Sequence, residues 1–163
     1  MLFRSGDRDG LLAATVRWQA SRVKVGPIDR ASLTAATLSA RLEEFAANWL
    51  TVIATDTSIA LNRLAIGSAA KDPRLGSIVL ANGRQAMGRR LKPVLEAGRA
   101  AGLLAFDDAE AAFRTFFGLT ARDIQIRLLL GDRMDLDAET IRADAAHAVR
   151  QFLALHGATN SAA

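Results

Sequence analysis

The chain has 163 residues, half of them apolar and 23% charged, and it carries a net charge of +4. This length and composition predict one globular domain with a packed core and exclude a disordered chain. The absence of cysteine excludes disulfides, thiolate metal sites and cysteine nucleophiles. No stretch approaches the roughly 18 consecutive apolar residues of a membrane span, and the first ten residues lack the apolar segment of a signal peptide. We therefore expect a cytoplasmic protein that does not contact membranes.

Helical patterns run through the whole sequence, which is rich in alanine and has no alternating strand pattern. We predict an all-α bundle of about six helices, at residues 7–23, 32–53, 57–70, 73–101, 107–130 and 138–155. The third helix is apolar on almost all sides, so it is expected to be central and covered by its neighbours. The fourth contains Pro93 and three glycines, Gly83, Gly88 and Gly98, which weaken it, and we expect a bend just before the proline.

The fifth predicted helix carries more apolar surface than a single core face needs. Asp107 is expected to cap this helix and Gly131 to end it. One apolar stripe consists of Phe113, Phe116, Phe117, Thr120, Ile124 and Leu128. A second stripe consists of Ala112, Leu119, Ile126 and Leu130. Because a surface helix of a monomer needs only one stripe, we predict that the second packs on another copy of the chain.

The last predicted helix also presents an apolar face. Asp137 can cap it, and small residues at Ala145 and Ala148 would let a partner helix approach closely. The larger members of this face are Ile141, Val149, Phe152 and Leu155.

Motifs for catalysis are absent from the sequence. The two histidines, His147 and His156, have no carboxylate at a metal-binding spacing, and there is no nucleophile elbow or phosphate-binding glycine loop. We therefore predict that the protein is not an enzyme and needs no metal or cofactor.

A binding site is better supported than a catalytic one. Apolar and aromatic residues lie on helices that must meet, and Asn62 and Arg63 interrupt an apolar helix, as the few polar groups of a small-molecule pocket do. Two alternatives remain open at this point. An aromatic stripe at helical spacing is more often plain core, and Arg63 is equally consistent with a structural salt bridge.

The order of the motifs resembles the C-terminal regulatory domain of TetR-type transcriptional repressors, and within it the AefR-like subgroup. The chain contains ALNRLAI, then KDPRL, then EAGRAAGLLAFDDAEAAFRTFFGL, and LLLGD before the last helix. The residues that match the subgroup pattern are Arg63, Leu64, Ile66, Pro73, Gly102, Leu104, Asp108, Ala111, Ala112, Gly118 and Gly131. The run from Leu2 to Leu12 is similar to the exit from the family's DNA-binding domain.

The resemblance implies a homodimer in which the last two helices of each subunit form an intersubunit four-helix bundle. It also implies a small apolar or amphipathic effector, which changes DNA binding in the bacterial cytoplasm. DNA would be bound only through an N-terminal helix-turn-helix that this chain lacks. We accordingly expect residues 1–26 to be a remnant of the exit and its connecting helix, residues 27–157 to be the regulatory domain and residues 158–163 to be a disordered tail.

Two sets of residues follow from the resemblance together with the apolar stripes. For the effector site we predict Phe45, Trp49, Asn62, Arg63, Leu64, Met87, Phe113 and Phe117. For the dimer interface we predict Phe116, Leu119, Asp123, Ile126, Arg127, Leu130, Ala145, Ala148, Val149 and Phe152. The alternative function is a stand-alone helical module that binds another protein and has no ligand.

Overall fold

The structure is a computed structural model that describes residues 5–26, 28 and 32–158. Regular structure in these ranges is entirely helical, which confirms the all-α prediction. The helices are α1 (Ser5–Ser21), α2 (Ala35–Ile53), α3 (Asp56–Ser68), α4 (Arg74–Asn82), α5 (Arg84–Ala100), α6 (Ala109–Ala121), α7 (Ile124–Leu129) and α8 (Ala138–His156). The sequence predictions for residues 1–4, for residue 27 and for the tail from residue 159 lie outside the described residues.

The main hydrophobic core lies where α2, α6 and α8 pack together. Phe45 of α2, Phe116 of α6 and Phe152 of α8 are each at most 1% exposed. Their rings meet edge to face, with centroids 6.1 Å apart for Phe45 and Phe116 and 5.3 Å apart for Phe116 and Phe152. Such pairs add about 0.5–1.5 kcal/mol each beyond the burial of area. We call these three residues and the helices that carry them the closed core.

A second and smaller cluster lies between α1, α3 and α4. Its buried members are Leu12, Val16, Ala65 and Leu75. Large apolar side chains on the same three helices stay exposed, namely Leu11, Trp18, Leu64, Ile66 and Leu80. We call α1, α3 and α4 the open side. The expectation that the third predicted helix is central and covered is therefore wrong, because α3 buries only Ser58 and Ala65 and lies at the edge of the bundle.

The fourth predicted helix is two helices rather than one. The chain turns at Gly83, with φ −98° and ψ −95°, so that α4 ends and α5 begins at this residue. An added Cβ at Gly83 would lie 2.7 Å from the carbonyl oxygen of Val79, so only glycine fits the turn without displacing backbone. Pro93 lies inside α5 and does not end it.

The fifth predicted helix is also broken, between α6 and α7. Arg122 has φ 42° and ψ −128°, a backbone conformation that residues other than glycine rarely adopt. Its guanidinium is ion-paired with Asp144 of α8, which helps to hold the break in place. The break turns α7 away from the line of α6.

The caps follow the sequence closely, with one exception. Asp137 accepts a hydrogen bond from the backbone N–H of Thr140 at 2.7 Å and starts α8 as predicted. At α6 the cap is Asp108 and not Asp107, because the Asp108 carboxylate accepts from the N–H groups of Glu110 and Ala111. Asp107 and Asp108 are both suitable N-cap residues, so the cap predicted from the sequence is wrong by one residue.

Candidate functional site

A cavity of about 170 Å³ lies between the open side and α2, α5, α6 and α7. It lies between the smaller hydrophobic cluster and the main core, where the side chains of the two clusters do not pack against each other. Its walls carry apolar and aromatic side chains with a few polar groups between them, as small-molecule sites do. The lining residues are Val16, Gln19, Ala20, Trp49, Val52, Ile53, Ser58, Leu61, Asn62, Val79, Leu80, Gly83, Arg84, Met87, Phe117 and Gln125.

The two helix breaks give the cavity its shape. The turn at Gly83 brings Arg84 and Met87, at the start of α5, to the wall. The break after α6 lets Gln125 of α7 reach the same space. One wall is aromatic, because the rings of Trp49 and Phe117 lie 4.2 Å apart between centroids. An unbroken pair of long helices would not present these side chains together.

Gln19 places an unpartnered polar atom beside the cavity. The residue is 5% exposed, and its Oε1 has no hydrogen-bond partner among the described residues. Its Nε2 donates to the hydroxyl of Thr55 at 3.3 Å. The Thr55 hydroxyl donates its own proton to the carbonyl of Val52, so towards Gln19 it can only accept. This fixes the orientation of the amide and leaves Oε1 as the buried acceptor without a donor.

Arg84 is the only charged residue that lines the cavity in the described part of the chain. Its guanidinium carbon lies 5.1 Å from the ring centroid of Phe117 and 5.4 Å from that of Phe113, within the range of a cation–π contact. No ion pair or hydrogen bond joins Arg84 to any described residue. The positive charge at the cavity wall is therefore balanced only by the faces of two aromatic rings.

The carboxylate that shares a surface depression with this arginine is already paired with other cations. Glu110 shares a neighbouring surface depression with Arg84, Arg89, Lys92 and Arg114. Lys92 donates a hydrogen bond to Glu110 at 3.0 Å, and this contact holds the pKa of the Glu110 carboxyl below its ordinary value. Arg114 approaches the other oxygen of the same carboxylate at 3.5 Å. The field around Arg84 is thus positive.

Four of the eight residues predicted for an effector site line this cavity, namely Trp49, Asn62, Met87 and Phe117. Phe45 and Phe113 are 1% exposed and pack inside the main core beside it. Leu64 lies on the outer surface of α3 with 42% of its area exposed. Whether any of these residues contacts a ligand stays a prediction.

Arg63 does not face the cavity and makes no salt bridge with a described carboxylate. Its Nε donates to the carbonyl of Leu129 and its Nη2 to the carbonyl of Leu128, both at 2.9 Å. These carbonyls lie at the C-terminal end of α7, where the last carbonyls of a helix lack the usual intrahelical partners. The carbonyl of Leu128 also accepts from the backbone N–H of Gly131 at 3.2 Å. The sequence left open whether Arg63 contacts a ligand or forms a structural salt bridge. The structure shows a structural role, but its partners are backbone carbonyl oxygens and not a carboxylate. Arg63 ties α3 to α7.

Twelve of the sixteen described lining residues were not predicted from the sequence, and Gln19, Arg84 and Gln125 are polar or charged examples. Gln19 follows Leu12 and Val16 on the buried face of α1, and a polar residue at that spacing was a signal that could have found it. Arg84 and Gln125 gave no such signal, since their positions depend on the breaks at Gly83 and Arg122. The sequence predicts continuous helices through both of these positions.

The residues predicted for a dimer interface divide by exposure. Those already buried within the single chain are Phe116, Ala145, Ala148, Val149 and Phe152. A side chain buried in its own subunit has no area left to bury against a partner. Those at or near the surface are Leu119, Asp123, Ile126, Arg127 and Leu130, with Ile126 52% and Leu130 80% exposed. Arg127 is paired with Asp132 at 2.6 Å and with Asp123 at 3.7 Å.

Other kinds of site are not seen in the described ranges. No three residues among His, Asp and Glu come together as a metal site there. No described helix is both long and apolar enough to cross a membrane.

The comparisons with known proteins agree with this architecture. Residues 40–158 match the family described as the C-terminal domain of AefR-like transcriptional repressors. A TetR transcriptional regulator from Agrobacterium tumefaciens is 45% identical, with a TM-score of 0.79 over 94% of this chain and 74% of its own. This chain belongs to the TetR family of transcriptional regulators. The sequence prediction of the family is confirmed, and the stand-alone interaction module is not favoured.

Two further TetR-like structures share the fold. The flavonoid-responsive regulator FrrA is 26% identical, with a TM-score of 0.79 over 93% of this chain and 74% of its own. A structure from Mesorhizobium loti is 17% identical with a TM-score of 0.69, over 93% of this chain and 70% of its own, and shows likeness of fold alone. Among curated proteins, none matches this sequence. TetR-family regulators act as dimers that bind small-molecule effectors and DNA, so the cavity of this TetR-type domain is its candidate effector site.

Proposed function

We propose that this domain binds a small aromatic or amphipathic effector in the cavity and, as a homodimer, passes the binding event to the DNA-binding helices of a TetR-family repressor. The observation that carries the proposal is the cavity itself, with an aromatic wall, one orphaned acceptor and one cation. Buried polar groups in proteins ordinarily have hydrogen-bond partners, so an acceptor without one at a cavity wall favours a ligand that supplies the donor. Catalysis is no part of the proposal.

The contacts around the cavity suggest how occupancy is transmitted. Seven helices contribute to its walls, and α7 is held to α3 by Arg63 at its C-terminal end. Arg122, beside α7, is ion-paired with Asp144 of α8. A ligand that binds better to one arrangement of α7 than to another shifts the population between them, by as much as its affinities differ. Movement of α7 would therefore reach α8.

One similar structure gives a hint about the effector. FrrA is described as flavonoid-responsive, and flavonoids are planar aromatic molecules. The wall formed by Trp49 and Phe117 suits a planar aromatic guest, since offset and tilted ring contacts are favourable.

Thermal denaturation with a panel of apolar and amphipathic compounds tests the cavity. A true effector stabilises the domain by mass action, by about 2.7 kcal/mol at a hundred times its Kd. Leu61 lines the cavity, whereas Leu64 lies on the outside of the same helix. We expect Leu61→Trp to fill the space and abolish the stabilisation, and Leu64→Trp to leave it intact. Equal stabilisation of both variants would place the ligand elsewhere and contradict the proposal.

For the dimer we propose the outer faces of α6 and α8. Small residues are exposed there, with Gly118 on α6 and Ala143 on α8, while Leu119 and Ala146 on the same helices are half-buried. An added Cβ at Gly118 would meet nothing within 4 Å, so this helix can be approached closely. Ile126 and Leu130, at α7, also leave large apolar side chains exposed. This proposal keeps the predicted pair of helices but replaces the residues that are buried in one chain.

Sedimentation of two glycine variants tests this interface. Gly118→Arg places a long charged side chain on the outer face of α6, and we expect it to shift the protein from dimer to monomer. Gly76→Arg is the matched control, because Gly76 also lies in a helix with open space around its Cβ, but on α4. A stable dimer in Gly118→Arg would show that the interface lies elsewhere.

A further inference from the structure

We infer that the cavity selects aromatic acids of single-ring size that also carry a hydrogen-bond donor, with para-hydroxybenzoate as the simplest probe. The inference rests on the proposed function, since it names the chemical class of effector that the same cavity would take. Three features of the wall carry it: the volume, the orphaned oxygen of Gln19 and the unpaired charge of Arg84.

The volume limits the guest to about one ring. The cavity measures about 170 Å³, and an apolar protein cavity of about 150 Å³ binds benzene. Trp49 and Phe117 form a wall on which a single ring can pack. A guest with two or three rings, such as a flavonoid, would extend out of this space towards solvent or require the surrounding helices to move apart.

The oxygen of Gln19 calls for a donor on the guest. Thr55 fixes the amide so that Oε1 is the free atom, and this atom is buried. An unpaired buried acceptor is costly, and a guest that supplies a hydroxyl or N–H removes the cost when it binds. A guest without a donor leaves the oxygen unpaired. The cavity should therefore prefer a phenol over the corresponding hydrocarbon.

The charge of Arg84 calls for an anion. No acidic residue of the described ranges lines the cavity, and Glu110, which shares a neighbouring surface depression with Arg84, is paired with Lys92 and Arg114. A guanidinium presents a planar fork of donors that matches a carboxylate, and such charged hydrogen bonds are stronger than neutral ones. Its ring contacts with Phe113 and Phe117 keep it at the wall. A cationic guest would be repelled by the same group.

Four single-ring compounds separate these contributions: para-hydroxybenzoate, benzoate, phenol and benzylamine. Binding is followed by the fluorescence of Trp49 in the Trp18→Phe variant, which leaves the cavity tryptophan as the only one in the chain. Trp18 is 59% exposed, so its replacement should not disturb the fold. We expect para-hydroxybenzoate to bind about tenfold or more tightly than benzoate and than phenol, and benzylamine not to bind.

Substitutions then assign each preference to its residue. Arg84→Met should remove the preference for the acid over phenol, while Arg89→Met, which makes the same change of charge on the same helix outside the cavity, should retain it. Gln19→Leu should make benzoate and para-hydroxybenzoate bind equally. Retention of the acid preference in Arg84→Met, or of the hydroxyl preference in Gln19→Leu, would overturn the inference.

The failures of the two proposals can be told apart. If neutral or cationic rings bind in the cavity and acids do not, the selectivity is wrong but the effector site stands. If none of the four compounds binds, the selectivity is again overturned, and the broader compound panel with Leu61→Trp decides whether the cavity binds any effector.

Discussion

The closed core and the open side are built from the same kinds of residue but reach opposite results. In the closed core, Phe45, Phe116 and Phe152 are stacked edge to face and almost fully buried. On the open side, large side chains such as Trp18 and Ile66 stay exposed, and a cavity separates this side from the core. The comparison shows that apolar periodicity identifies which helix faces pack together. Whether those faces form a filled core or leave a cavity depends on how well their side chains fit each other.

The boundary between the two regions runs along a single helix. Phe116 and Phe117 are neighbours on α6, yet the first is fully buried in the closed core and the second forms the cavity wall. A ligand that pushes on Phe117 therefore acts on a helix whose other face is fixed. One wall of the cavity thus belongs to a helix of the closed core, whereas other walls belong to the less buried open side.

The largest expected effect comes from truncating the closed core. Phe116→Ala should lower the free energy of unfolding by about 3–5 kcal/mol, because the neighbouring rings leave little room for collapse. Leu61→Ala, at the partly exposed cavity wall, should cost distinctly less. Denaturant unfolding of both variants measures the difference. Similar losses in the two variants would mean that the regions are equally well packed.

Two glycines sharpen the same comparison. A Cβ at Gly98 would lie 2.8 Å from Leu104 Cδ1 and 3.0 Å from Leu38 Cδ2, so Gly98→Ala should overpack the core and cost about 1–3 kcal/mol. Gly76 on the open side has no atom within 4 Å of that position. Gly76→Ala should therefore raise stability by up to about 1 kcal/mol through helix propensity. Thermal melts give both signs, and a gain from Gly98→Ala would contradict tight packing there.

A smaller effect is expected at the link between the open side and α7. Arg63→Met removes the two hydrogen bonds to the end of α7 and should cost about 1 kcal/mol, since the guanidinium is partly solvated. Arg17→Met is the control, because Arg17 is exposed on α1 and makes no hydrogen bond or ion pair with a described residue. Hydrogen exchange of the α7 amides should rise in the first variant only. Unchanged exchange would show that Arg63 does not hold α7.

The sequence predicted the family and the helical class, and four of the eight residues that it predicted for an effector site line the cavity. Trp49, Met87 and Phe117 lie on strong apolar stripes, which survive errors in helix boundaries. Arg84 and Gln125 could not be found, because their positions depend on backbone breaks at Gly83 and Arg122 that only tertiary packing determines. Tertiary packing also explains the residues that were predicted for the site but do not line it. Phe45 and Phe113 are buried in the core, and Arg63 donates to the carbonyls of α7, although their local sequence patterns resemble those of the lining residues.

A structure of the domain determined with its tightest-binding aromatic compound tests the account most directly. We predict that the compound lies in the cavity against Trp49 and Phe117, with its donor at Gln19 Oε1 and its anionic group at Arg84. A compound found on the outer surface, with the cavity side chains in their present positions, would contradict the account.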